Sequence, residues 1–67
     1  MIQAIEFLYD YTEKSSYHCT RQFNEWINDI SKTNIVTIIN THFTSTMNND
    51  SVYDTLVVIY KLERIIP

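Results

Sequence analysis

The chain has 67 residues, a formal net charge of −3 from five basic and eight acidic side chains, one cysteine and no glycine. That length allows a single small domain, residues 1–67, with a marginal core. One cysteine excludes an internal disulfide, and the lack of glycine excludes the phosphate-cradling loops and strained nucleophile elbows of most nucleotide and hydrolase chemistry.

Residues 2–9 alternate Ile5, Phe7 and Tyr9 with Ile2, Ala4 and Leu8, a pattern rich in β-branched and aromatic side chains that predicts a strand. Spacing then changes to that of a helix. Cys19, Phe23, Trp26, Ile27 and Ile30 fall on one stripe, which predicts a helix over residues 15–30, capped by Ser15 or Ser16. Residues 31–34 end it, with Asn34 expected in the left-handed position that glycine usually takes. Residues 35–46, rich in Ile, Val and Thr, predict a second strand. Asn48, Asn49 and Asp50 suit a turn over residues 47–51, and residues 52–62 predict a third strand. The expected fold is therefore α+β: a two-layer β-α-β-β domain, one amphipathic helix packed on a three-stranded sheet with a long C-terminal hairpin.

Lys14, Arg21, Lys32, Lys61 and Arg64 are scattered, so no basic footprint for nucleic acid is present. Apolar runs fall far short of the ~20 residues of a membrane span, and the N-terminal stretch lacks the positive flank of a secretion signal. No membrane partner is expected. A lone thiol fits a cytoplasmic location.

Three kinds of chemistry are open to these side chains. His18 and Cys19 are adjacent, so on a helix they point about 100° apart and should not share a metal; His42 is the only other soft ligand. A Cys–His nucleophile would need His42 beside Cys19, yet Cys19 lies on the apolar stripe, where burial makes a thiol inert. Among the carboxylates, Asp10 and Glu13 bracket a loop and Asp50 sits in the hairpin turn, all positions that read as solvated surface. Five tyrosines, Tyr9, Tyr11, Tyr17, Tyr53 and Tyr60, read either as the amphipathic edge of a small core or as a contact surface. No catalytic residue, metal or cofactor is expected.

Three stretches span almost the whole chain: Met1-Ile2-Gln3, Phe23-Asn24-Glu25-Trp26-Ile27 and Leu56-Val57-Val58-Ile59-Tyr60. In them the chain resembles a family of small sporulation proteins of unknown biochemical role from endospore-forming bacteria and their phages. That plan has a short first strand, an amphipathic helix with Asn and Trp near its end, and a long hairpin closing on an apolar-tyrosine strand. Asn40, Thr41 and His42 depart from it. The resemblance implies no catalytic residues.

Both alternating sets of the hairpin strands carry large apolar groups, and one helix covers one face. The chain is therefore expected to be a non-enzymatic interaction module of a Gram-positive bacterium or its phage. It should assemble with itself, as a two-fold dimer, through a sheet face presenting Thr37, Ile39, Thr41 and Phe43. The alternative is a phage-encoded inhibitor that binds and blocks a host defence protein.

Overall fold

A computed structural model describes residues 2–12, 17–48 and 51–65. Four elements follow in chain order: β1 (Ile2–Asp10), α1 (Cys19–Ile30), β2 (Asn34–Met47) and β3 (Val52–Arg64). The architecture is the expected α+β plan, one helix on a three-stranded antiparallel sheet. Its order, β1-β3-β2, puts the last strand in the middle. No helix among the described residues is long and apolar enough to cross a membrane.

Paired residues of antiparallel strands share a face, so the register sorts the side chains. Ile5 lies against Val58, Phe7 against Leu56 and Val36 against Leu62, all on the side that the helix covers. Phe7, Cys19, Val58 and Tyr60 are the buried hydrophobic core, and Ile5, Phe23, Trp26, Val36, Leu56 and Leu62 pack around it. The stripe read from the sequence is thus the packed face of α1, with Ile27 and Ile30 half-buried beside it. Trp26 is its centre. Its ring meets Phe7 edge-on at 5.8 Å and Tyr60 at 4.8 Å between centroids, geometry favoured by the ring quadrupoles.

The helix ends are built without glycine. Ser15 and Ser16, the expected caps, lie outside the described residues, and His18 holds the N-cap position, its Nδ1 accepting from the Thr20 amide at 3.2 Å. At the other end the expectation of a left-handed Asn34 fails. No described residue has a positive φ. Instead Ser31 stays helical, Lys32 and Thr33 donate to Asp29 and Ile30 in tightened turns, and the Asn34 amide covers the Ile30 carbonyl at 3.4 Å while its backbone starts β2. Tightened turns and a side-chain amide satisfy the terminal carbonyls that a left-handed residue would otherwise serve.

The second correction concerns β2. Its pairing with β3 slips between Ile38 and Asn40, where Ile39 is the extra residue of a β-bulge. Side-chain direction inverts at that point. Thr37 therefore pairs with Lys61 on the open face, whereas Thr41 and Phe43 pair with Val58 and Leu56 on the helix side. Thr37, Ile39, Thr41 and Phe43 are all exposed, but they do not share one face. The Asn40 side chain accepts from the Thr41 amide at 2.9 Å, serving the backbone where the ladder is disturbed.

Replacing Trp26 by alanine is expected to lower the unfolding free energy by about 3 kcal/mol, the low end for truncating a large aromatic, because part of the indole stays in water. Urea melts of the variant would check it; a loss below about 1 kcal/mol would mean the helix does not depend on this contact.

Candidate functional site

One carboxylate stands out. Asp54 lies on β3 with the parity of Leu56, Val58 and Tyr60, pointing to the helix side, and only 2% of its surface is exposed. A buried carboxylate must be compensated, and here three elements supply partners. The Tyr11 hydroxyl, just past β1, donates to Oδ2 at 2.7 Å. His18, at the start of α1, brings Nε2 to the same oxygen at 2.9 Å. Ser45 of β2, directly opposite Asp54 in the ladder, donates to Oδ1. Because Nδ1 of His18 accepts from the Thr20 amide, the proton of the neutral ring sits on Nε2 and is donated to Asp54.

Hydrogen bonds from Ser45, then Tyr11, then His18 hold the Asp54 carboxyl below the usual carboxylate range, against the opposing effect of burial. The same contact keeps the Tyr11 phenol protonated to higher pH than usual, its bond to Asp54 being the largest cause. Aromatic rings close the cluster: Tyr9 stands 4.8 Å from Tyr11 and 5.2 Å from His18, and Phe43 lies 6.4 Å from His18.

Cys19 adds a feature with a catalytic look. Its Sγ is 3.7 Å from Nδ1 of His18, so thiol, imidazole and carboxylate follow one another in the order of a Cys-His-Asp nucleophile. The surroundings deny it that chemistry. Cys19 has no exposed surface, and burial, then the charge of Asp54, push its thiol pKa up. Nδ1 is already engaged by the Thr20 amide, and no cavity opens on the sulfur among the described residues.

Each candidate residue read from the sequence now has a place. Cys19 is the small buried hydrophobe expected of it. His18 caps the helix and holds Asp54. His42 pairs with Val57 on the open face, so the sheet stands between it and Cys19. Asp10 turns the chain after β1, accepting from the Thr12 amide and hydroxyl, while Glu13 and Asp50 lie outside the described residues. Among the described residues no three His, Cys, Asp or Glu side chains are placed to hold a metal ion. The tyrosines do not form one surface: Tyr60 is in the core and bonds Gln3 at 2.8 Å, Tyr11 serves Asp54, and Tyr17 lies under the Arg21 guanidinium at 3.9 Å.

Among the described residues, large apolar side chains remain in water on β1, as Ile2 and Leu8, around the ends of the elements, as Tyr11, Tyr17, Val52 and Ile65, and in greatest number on β2. Ile35, Ile38, Ile39, Phe43 and Met47 are all exposed, Phe43 by 52% and Met47 by 79%. Ile38 and Phe43 are exposed on the helix side because α1 rests on β1 and β3; of β2, only Val36 reaches the core. The chain matches no family model, no curated protein and no solved structure.

Two outcomes follow from this geometry. Because the fold binds the ionised form of Asp54, its contribution to stability is present in full above the unfolded carboxyl pKa of about 4. It is lost as pH falls through the lowered native value. Thermal unfolding recorded from neutral pH into acid should show a loss that Asp54→Asn flattens; equal slopes would assign the acid sensitivity elsewhere. For Cys19, a water-soluble alkylating reagent should leave the native thiol unmodified and react promptly once the chain is unfolded. Rapid labelling of folded protein would restore the nucleophile reading.

Proposed function

We propose that the chain is a non-enzymatic protein-interaction module that works through the apolar side of β2, acting in the cytoplasm of a Gram-positive bacterium or its phage. The observation that carries this reading is a mismatch between core and surface. Among the described residues four hydrophobic side chains are buried, while β2 alone leaves five large ones in water. The folded chain exposes 5160 Å², about 700 Å² more than the roughly 4,450 Å² typical of a compact monomer of 8.0 kDa. Its radius of gyration of 14.0 Å likewise exceeds the ~11 Å of a compact domain this size. Several large hydrophobic side chains left in water on one strand support a contact site there.

The source rests on the resemblance to small sporulation proteins and on a composition rich in Asn, Ile and Tyr. The compartment rests on the single thiol. The proposal against catalysis rests on the buried state of Cys19 and on the engagement of both His18 nitrogens.

A photo-reactive phenylalanine analogue at position 43 tests the reading in cells. It should give a covalent adduct with protein, and the same group at Asn24, on the exposed face of α1, should give none. Absence of protein adducts from position 43, or equal yields from both positions, would overturn the module.

A further inference from the structure

The two edges of the sheet are not alike. β1 is 9 residues long and carries Glu6 and Asp10. β2 is 14 residues long and carries no Lys, Arg, Asp, Glu or Pro from Asn34 to Met47. Natural edge strands are usually blunted against pairing by charge, proline, shortness or a bulge. β2 has one of these devices, the bulge at Ile39, and it leaves residues 40–47 as an uninterrupted run against β3.

We infer that the occupant of this edge is a second copy of the same chain, its β2 running antiparallel to the first over residues 40–46 about a two-fold axis at Phe43. The inference rests on the module reading and names its partner. A strand without charge is compatible with its own mirror pairing, since no like charges meet across the axis. Seven paired residues span about 24 Å of ladder. The result is one six-stranded sheet in the order β1-β3-β2-β2-β3-β1.

An axis perpendicular to the sheet keeps both helices on the same side. They would flank a furrow floored by Phe43 and Ile38 of each copy, two of the helix-side residues that the chain's own helix leaves open. Pairing along the edge also differs from stacking on the open face. That face carries Glu6, Lys61 and Glu63 among its apolar groups, and each would need a partner in a dry interface.

Sedimentation equilibrium at micromolar concentrations should show a species of twice 8.0 kDa. Thr44→Lys, which puts a charge on an exposed edge position, and Phe43→Asp should each abolish it. Hydrogen exchange of the unaltered protein gives a reading independent of whether the variants fold. Those amides of residues 40–46 that face away from β3 should lose protection on dilution to monomer, while the β2 amides bonded to β3 and those of β1 keep theirs. A species of 8.0 kDa throughout, a dimer that survives both substitutions, or dilution-sensitive protection confined to other segments would overturn the inference. If position 43 links only to a different protein while the chain sediments as a monomer, the module stands and self-pairing falls. If position 43 links to nothing, the module itself has failed.

Discussion

The carboxylate of Asp54 is the one group on which all four elements converge. It sits on the central strand and draws in the chain after β1 through Tyr11, the start of α1 through His18 and β2 through Ser45. With so few side chains fully buried, apolar packing alone fixes the relative position of these pieces weakly. A buried charge with directional partners fixes it more sharply, since displacing a partner takes a hydrogen bond from a carboxylate that water reaches poorly. Removing the acid would break three bonds at once and return Tyr11, His18 and Ser45 to water.

The same contact explains why a Cys-His-Asp order arises without a nucleophile. His18 is where it is because an N-cap must accept an amide and because Asp54 needs a donor; the imidazole does both in its neutral form. Cys19 comes next in the chain and is turned inward as the first helical residue of the apolar stripe. Proximity of sulfur to nitrogen follows from this local geometry, and packing seals it from solvent.

How much of this could be read in advance depends on the range of each interaction. The elements and their order were legible because period-two and helical spacing are local signals, and Cys19, Phe23 and Trp26 declared the packed face of α1. The cluster was not, since the partners of Asp54 stand 43, 36 and 9 residues away. One clue was present: alternation places Asp54 in line with Leu56, Val58 and Tyr60, where a carboxylate has to find donors. The bulge was missed for a different reason. A single extra residue inverts every later side chain, so Thr41 and Phe43 moved to the helix side although the threonine pattern looked continuous. Asn40, a poor strand former in the middle of an Ile- and Thr-rich run, was the local mark of it. It was also one of the three residues at which the chain departs from the sporulation-protein plan.

The strand order has a consequence for how the protein is made. β1, α1 and β2 are all synthesised before β3, yet every ladder in the sheet runs through β3. Until that strand has left the ribosome, neither β1 nor β2 has its native neighbour, and the Tyr11, His18 and Ser45 side chains have no carboxylate to meet. A nascent chain at this stage presents β2, uncharged and strongly β-forming, with both of its edges open. Arrival of β3 closes one of them.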